Sequence, residues 1–368
     1  MSAVRIADPG RSGGGPRAGT WLASLRAPLV RWRARSTLWR ARHVPDVRLR
    51  TALVGVGVGA SVLLAVGLGA AGIPWRELPR ALVDAGHPAH VILWQIRVPR
   101  IAAGALVGAA LATAGALLQA VVRNPLADPG LMGVTAGAGL GGLVGILLLP
   151  GERFAIPVCA FAGGLVATLV VLTVAWTGRG LMVPLRIMLS GVAVQALLFS
   201  AVALLTYAFA DRAPAFVSFT IGSLAGVGWM DVGIAVGPTL VGVGLALVST
   251  RRLNLLLLDD ASAAGIGLHV ERARLGAACL AALLAAGAVS VAGLVGFVGL
   301  VVPNAVRLLT GPDHRVLLPV SILAGAALVV LADAGARTVV APLELPVGAL
   351  LAMIGGPYFL VELWRRVV

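Results

Sequence analysis

Residues 97–138 read RVPRIAAGALVGAALATAGALLQAVVRNPLADPGLMGVTAGA, and this stretch decides the fold. It begins with two Arg residues, continues as an apolar segment rich in Gly and Ala, and reaches a polar turn at Asn124-Pro125-Leu126. Pro125 and Pro129 each disfavour a helical conformation in the residue before them, so one helix should end here and a second should begin. The pattern predicts a membrane-spanning helix with polar residues at both ends.

The composition of the whole chain indicates the same class of protein. Hydrophobic residues make up 59% of the 368 residues, charged residues only 12%, and the mean hydropathy is +0.98. Soluble domains have roughly 45–50% apolar and about 25% charged residues. A bilayer crossing needs about 20 apolar residues. We therefore expect an all-α integral membrane protein with about ten transmembrane helices and little room for a separate soluble domain.

Ten apolar spans can be delimited in the sequence, with the division between the seventh and the eighth placed at Gly293. They cover residues 51–72, 100–121, 130–149, 154–176, 186–209, 231–249, 273–292, 294–310, 316–336 and 346–364. Small residues recur at helical spacing on the second span, at Gly104, Gly108 and Ala112. Such faces let helix backbones approach closely in lipid. A tight helical bundle is therefore expected.

Two of these spans are weakly similar to each other. The sequence LAALLAAGAVSVAG at residues 280–293 resembles ALVGAALATAG at residues 105–115. Internal repeats of inverted topology are a common plan of transporters. The similarity predicts an inverted repeat that relates the second span to the seventh.

The charge distribution predicts the orientation of the chain. All 29 basic residues are Arg, and eleven of them lie in residues 1–50, which we interpret as a basic, poorly ordered cytoplasmic tail before a transmembrane domain at residues 51–368. With this tail inside, the cytoplasmic segments carry 22 Arg and the outer segments seven, as the positive-inside rule requires. Both termini should then be cytoplasmic. The net charge of +14 is explained by this rule, so no nucleic-acid partner is expected.

The absence of Lys limits the chemistry of the chain. The nucleotide-binding loop G-x-x-x-x-G-K-[ST] requires a Lys at the phosphates, and this sequence contains none. We therefore expect no ATP hydrolysis by the chain itself. Cys159 and Cys279 stand alone in apolar spans, where Cys behaves as a small hydrophobic residue, and no bound metal is expected.

Three polar groups of residues remain outside the spans. The first is on the predicted outer side, where Arg97, Arg100 and Arg337 each lie at the end of a span. Positive charge on this side opposes the orientation rule. These residues are either interfacial anchors with snorkelling side chains or a site that docks carboxylates of a partner, which Arg binds in a bidentate manner.

The second group is the longer loop from Arg251 to Arg274, on the predicted cytoplasmic side. Asp259 or Asp260 can cap a short helix that begins near Ala261 and ends at Gly265 or Gly267. Such a helix is either a connector on the membrane surface or a contact for a soluble partner. An Asp pair can also hold Mg²⁺ in a prenyl-transfer enzyme, but the sequence offers no second acidic motif.

The third group is the polar turn at residues 123–130, RNPLADPG. Pro125 and Pro129 predict that the helix stops and restarts here. The turn is either a plain connection or an inner constriction of a translocation path.

Several blocks resemble the FecCD-type permeases, the membrane subunits of bacterial ABC importers for ferric siderophores, haem and cobalamin. They are RVPR at 97–100, Gln119 with RNPLADPGLMG through Gly133, GLVGFVGLVVPNAVRLLTGPDHRVLLP at 293–319, LADAGAR at 331–337 and ELPVGALLAMIGGPYFL at 344–360. The resemblance extends from about Arg97 to the carboxyl end, with the blocks in the same order. It is therefore more specific than any single motif.

The resemblance implies a type II ABC importer with defined partners. These are a second permease subunit in a homodimer or heterodimer, two cytoplasmic ATPase subunits that carry ATP and Mg, and an extracytoplasmic substrate-binding protein. It implies roles for three sets of residues: docking of the binding protein at Arg97, Arg100 and Arg337; coupling to the ATPase at Asp259, Asp260, Ala261, Ala264 and Gly267; an inner gate at Asn124, Leu126, Pro184 and Leu185.

One position departs from the family pattern. Many relatives have His where this chain has Asn304, and Asn cannot titrate. Ferric siderophore is the expected cargo, with haem and cobalamin as alternatives. A secondary transporter driven by an ion gradient is the alternative from another class, but it would need acidic or basic relays inside the spans. The spans contain few acids, and Asp333 lies near an outer end.

Overall fold

A computed structural model describes residues 47–67, 74, 76–152, 154–177, 183–340 and 343–367. Most of the predicted basic tail lies outside these residues. The described part of the chain is helical and contains no β-strand, and residues Arg50–Val368 form one compact unit. The predicted all-α fold is confirmed.

Fifteen α-helices are labelled in chain order over the described residues, and two 3₁₀ turns and one π-helical segment accompany them. The helices are α1 Val47–Gly67, α2 Leu78–Val83, α3 Pro88–Val91, α4 Val98–Val122, α5 Val134–Leu148, α6 Ala155–Thr177, α7 Val183–Ala208, α8 Ala213–Ile221, α9 Trp229–Val248, α10 Thr250–Leu256, α11 Asp260–Gly265, α12 Val270–Ala292, α13 Val298–Thr310, α14 His314–Thr338 and α15 Val347–Val367. The π-helical segment is Ile92–Arg97, and the 3₁₀ turns are Pro129–Met132 and Ala210–Arg212.

Each of the ten predicted spans overlaps one of these helices. Seven helical segments are long and apolar enough to cross a membrane, among them Pro88–Val122, in which α3, the π-helical segment and α4 are continuous over 35 residues. Shorter apolar helices correspond to the first, third and eighth predicted spans. The structure adds α2, α3, α8 and α10, which the sequence pattern did not predict.

Helix α4 lies at the centre of the bundle. It packs against α9, α12, α13 and α14, and nearly all of its residues are buried. Small residues make this possible, because Gly108 lies against the backbone of Gly325 on α14, and Gly115 lies against the backbone of Gly299 on α13. A side chain at either Gly would force the two helix backbones apart. The expectation of tight packing through small residues is confirmed here.

Helices α5 and α6 also pack closely through Gly residues. Gly137 lies against the backbone of Gly163, and Gly141 lies against the backbone of Cys159. Because neither Gly carries a Cβ, the two helix axes can approach closely along this face. The Cys159 backbone is therefore part of this close contact between α5 and α6.

The break between the seventh and eighth spans falls where it was predicted. Helix α12 ends at Ala292, and Gly293 follows with φ 69° and ψ −160°. Phe297 then takes φ 66°, which is rare for a residue with a Cβ, before α13 begins. The predicted inverted repeat stays a prediction, although α4 and α12, which carry the similar sequences, are packed against each other in the core.

Candidate functional site

The two ends of α4 carry the polar residues of interest. We name them the RVPR end, around residues 97–100, and the RNPL end, around residues 123–126. At the RVPR end, Pro99 has no backbone N–H and its ring would crowd the carbonyl four residues earlier in a regular α-helix. The preceding residues Ile92–Arg97 are π-helical, which accommodates the proline without ending the helix. The side chains of Arg97 and Arg100 are thereby directed into the interior of the helical bundle.

Arg100 binds two carboxylates at the RVPR end. Its Nε donates to both oxygens of Asp333 at 3.0 Å, and its Nη2 donates to Asp333 Oδ1 at 2.9 Å. Its Nη1 donates to Glu344 Oε2 at 2.7 Å. Asp333 is on α14 and Glu344 precedes α15, so one guanidinium connects three parts of the chain. Charge-assisted, bidentate bonds of this kind are the strong ones.

Arg337 shares the same carboxylate, and together with Arg97 it also caps α1. Arg337 Nε lies 3.1 Å from Asp333 Oδ2, one helical turn away on α14, and its Nη2 donates to the Ala65 carbonyl at 3.4 Å. Arg97 Nη1 donates to the Val66 carbonyl at 2.7 Å. These carbonyls end α1, where positive charge is favourable. The three Arg residues therefore form one cluster around Asp333 and the end of α1.

The cluster is buried. Arg97, Arg100 and Arg337 are 3%, 4% and 5% exposed, and Asp333 is 2% exposed. Internal partners bind the guanidinium groups of all three Arg residues in this chain. The docking role itself stays a prediction. Glu344, whose side chain is 38% exposed, is the acidic residue that connects the cluster to the surface.

The RNPL end has the predicted helix break. Arg123 follows α4 in the left-handed conformation, with φ 54°. Asn124 Oδ1 accepts the N–H of Leu126 at 3.0 Å, and the Asn124 carbonyl accepts the N–H of Ala127 at 3.1 Å. The turn is thus held by its own side chain, and a chain that continued as a helix could not form these bonds.

The turn continues into the interior of the bundle. Asp128 Oδ1 accepts the N–H of Gly130 at 2.8 Å and begins the 3₁₀ turn Pro129–Met132. Pro129 reaches Gly299 on α13, and the side-chain amide of Gln195 on α7 donates to the Gly130 carbonyl. A movement of the RNPL turn would therefore displace groups that contact both α7 and α13.

The second predicted gate element lies at the start of α7. Pro184 lines the same cleft as Arg123, so the structure brings this element beside the RNPL turn. Leu185 is 43% exposed and is not among the residues that line the cleft. Asn124 and Leu126 are half-buried. Their gate role stays a prediction.

The predicted short helix of the second polar group is α11. Asp259 is its N-cap and accepts the N–H of Ser262 at 2.9 Å, while Asp260 is its first residue. The helix ends at Gly265, and Gly267 follows with φ 91°. The predicted cap and end are confirmed. Ala261 and Ala264 are exposed, so α11 offers a small-residue face that a partner could contact.

Asp260 forms ion pairs that sequence reasoning missed. Its carboxylate accepts from Arg274 Nη2 at 2.7 Å and Nη1 at 3.0 Å, and it also pairs with Arg123 Nη2. Arg123 Nε donates to the Leu256 carbonyl at the end of α10 at 2.7 Å. These residues line a cleft of about 910 Å³ that also contains Arg186, His269 and Glu271.

The two carboxylates of α11 both have a lowered pKa. The backbone N–H of Ser262 lowers the pKa of Asp259, and the Ser262 side chain adds to the effect. Burial alone would raise the pKa of Asp260, but hydrogen bonds from Arg274 and Arg123 outweigh burial and lower it below its ordinary value of 3.8. Both groups are therefore ionised at neutral pH.

The lowered pKa values of these two carboxylates predict how α11 responds to acid. A carboxylate with a lowered pKa contributes stability that is present above its unfolded pKa and is lost as the pH falls through its folded pKa. We expect hydrogen-exchange protection of the Asp260–Gly265 amides, corrected for intrinsic rates, to hold from about pH 7 to about pH 5 and to fall only below 3.8. A loss of protection between pH 7 and 5 would contradict the assignment of these ion pairs.

No metal site is found in the part of the chain that the structure describes, where three His, Cys, Asp or Glu residues nowhere converge. Asn304 is 1% exposed on α13, with Nδ2 3.5 Å from the Tyr358 hydroxyl. Nearby, Arg307 Nη2 donates to Gln119 Oε1 at 2.7 Å. These buried polar groups connect α4, α13 and α15.

Fold and site together define a helical, multi-pass membrane protein. The chain belongs to the FecCD transport family, which it matches over residues 44–365, and its role is in transport. It is 42% identical over 323 residues to the cobalamin import system permease protein of Halobacterium salinarum, covering 86% of this chain and 87% of that protein. It is 41% identical over 285 residues to the hemin transport system permease protein of Yersinia pestis, covering 74% and 84% of the two chains.

A solved structure has the same architecture. It is described as an inward-facing conformation of a metal-chelate type ABC transporter, and it is 28% identical to this chain, with a TM-score of 0.77. The alignment covers 86% of this chain and 99% of that chain.

Proposed function

We propose that this chain is the permease subunit of an ATP-driven importer that moves a metal chelate across the cytoplasmic membrane, with a ferric siderophore as cargo. The observation that carries the proposal is α4. One buried helix of a FecCD-family chain joins the Arg cluster at the RVPR end to the turn and the ion pairs at the RNPL end. A helix with this placement can relate events on the two sides of a membrane.

ATP and Mg belong to a separate subunit in this proposal. The sequence has no Lys and hence no nucleotide-binding loop of the G-x-x-x-x-G-K-[ST] type. The ATPase subunits bind at α11, where Asp259 caps a short helix whose Ala261 and Ala264 side chains are exposed. The RNPL end is accordingly cytoplasmic, as are both termini.

A substrate-binding protein docks at the RVPR end on the outer side, and a second permease subunit completes the translocation path. Support for the docking site comes from the convergence of Arg97, Arg100 and Arg337 in the fold. Because Glu344 already provides one partially exposed carboxylate to Arg100, an acidic residue of a binding protein could take the same position.

The cargo is a bulky chelate, with haem and cobalamin as the alternatives to a ferric siderophore. The relatives named above are importers of cobalamin and hemin, and a Fe(3+) dicitrate permease of Escherichia coli is 39% identical to this chain. Ferric siderophore remains our first choice. A secondary transporter is disfavoured by the ion pairs of Asp333, since a carboxylate held by two Arg residues is a poor proton relay.

Reconstitution tests the function directly. The purified chain is placed in proteoliposomes with and without its ATPase and binding protein, and uptake of a ferric hydroxamate, hemin and cobalamin is measured in parallel. We expect uptake only with both partners and ATP, and mainly of the ferric hydroxamate. Accumulation by the chain alone under an ion gradient would overturn the proposal. Uptake of cobalamin or hemin alone would instead change the cargo.

A further inference from the structure

Helix α11 is attached to the bundle through very few groups. Of its six residues, Ala263 is buried and the others are exposed. Its first residue, Asp260, pairs through its carboxylate with Arg274 in the first turns of α12 and with Arg123 at the end of α4. A movement of α11 can therefore reach α4 and α12 through this bridging carboxylate.

The two ends of this bridge differ in their freedom to move. The Arg274 side chain is 4% exposed and lies on a core helix, so it is a fixed point. The Arg123 side chain is 30% exposed, and its residue is in the left-handed conformation outside α4. Asp260 thus connects an immobile guanidinium to one that can shift with the RNPL turn.

Arg123 is the residue that would transmit a movement of α11 to the RNPL turn. It directly precedes Asn124, whose side chain holds the N–H of Leu126. Its Nε is also bound to the Leu256 carbonyl at the end of α10, so the guanidinium is held by one group of α10 and one group of α11. Displacement of these two helix ends must either move Arg123 or break both bonds.

We propose that Asp260 is the positioning residue that transmits movement of α11 to the RNPL turn, through its simultaneous ion pairs with Arg123 and Arg274. This inference rests on the proposed function, because it assumes that an ATPase moves α11. In this role the Asp260 carboxylate binds Arg residues of the permease itself and does not contact the ATPase surface. Asp259, one residue earlier, is the N-cap of the helix, and its carboxylate accepts the N–H of Ser262.

The test uses the assembled complex and needs no cargo. Cys159 and Cys279 are replaced by Ser, Leu126→Cys is introduced, and the permease is co-purified with its ATPase in nanodiscs. The rate of labelling by a membrane-impermeant maleimide is measured with and without Mg-ATP. We expect ATP to change this rate by about fivefold or more, the lower limit of typical couplings between sites. Asp260→Asn should bring the ratio of the two rates to about 1.

Matched variants separate transmission from assembly. Glu271→Gln removes a carboxylate from the same cleft and should keep the full response to ATP. Asp260→Glu, which keeps the charge, should restore the response. Arg123→Gln leaves α11 unchanged and should abolish the response as Asp260→Asn does, which decides the matter if Asp260→Asn does not assemble.

The outcomes distinguish the two proposals. A parent complex that responds to ATP, with Asp260→Asn or Arg123→Gln responding equally, would overturn the role of Asp260 and leave the permease function intact. A parent chain that binds no ATPase, or whose Leu126→Cys labelling is insensitive to ATP, would overturn the proposed function and the inference with it.

Discussion

Replacing Asp333 by Asn is expected to destabilise the protein by about 3–5 kcal/mol, the usual effect of removing one partner from a buried ion pair. Asp333 is shared by Arg100 and Arg337, all three are nearly inaccessible, and Arg97 lies in the same cluster. The substitution leaves buried guanidinium groups without a compensating charge. Glu344, which is hydrogen-bonded to Arg100, offers a charge only from a partially exposed position. Denaturation of the chain in lipid nanodiscs measures the loss.

The matched control is Asp211→Asn. Asp211 also pairs with an Arg, Arg212, but both side chains are largely exposed, at 73% and 48%. Surface pairs of this kind contribute about 0–1 kcal/mol. Equal effects of the Asp333 and Asp211 substitutions would show that the buried cluster does not hold the RVPR end together.

A triple substitution separates stability from docking. Replacing a buried ionic group completely by apolar residues of similar size is often neutral or stabilising. Arg100→Met, Asp333→Leu and Arg337→Met together should therefore recover most of the stability that Asp333→Asn loses. If these Arg residues dock the binding protein, the folded triple variant should fail to bind it. Unimpaired binding would restrict the cluster to a structural role.

The arrangement of spans was predictable because burial in lipid demands long apolar segments, but the helix ends were not. The second span extends back from residue 100 to Pro88 because the polar groups of His90 and Arg97 are satisfied by carbonyls of neighbouring segments. The third span begins at Val134 and not at residue 130, because Asp128 caps a separate 3₁₀ turn. Both deviations depend on partners outside the local sequence.

The location of the candidate site could be predicted from the sequence, but most of its ion pairs could not. The spacing of Asp333 and Arg337 by one helical turn is visible in the sequence as an i,i+4 pair. The pairs of Arg100 with Asp333 and of Arg123 with Asp260 join residues more than 130 positions apart. Such pairs require knowledge of the fold. Sequence reasoning therefore named Asp260 and Asp333 but did not pair them with the Arg residues at the two ends of α4.

Gly115→Ala is expected to destabilise the bundle by about 3 kcal/mol, within the usual effect of overpacking a core plus a disturbed hydrogen bond. A Cβ at residue 115 would overlap the Gly299 carbonyl oxygen. The same carbonyl accepts from Gln119 Nε2 at 3.3 Å, and Gln119 Oε1 holds Arg307. The added methyl group must therefore separate α4 from α13 or displace a polar group that cannot find water in the interior.

The control variant for this prediction is expected to be neutral or more stable, not less stable. Gly244 is an exposed helical glycine on α9 with open space around its Cβ position. There Ala should be neutral or should stabilise the helix by up to about 1 kcal/mol, because Ala loses less conformational freedom than Gly on folding. Unfolding of both variants in the same nanodiscs gives the comparison. If Gly115→Ala is as well tolerated as Gly244→Ala, the helices α4 and α13 are not in backbone contact, and the central position assigned to α4 is wrong.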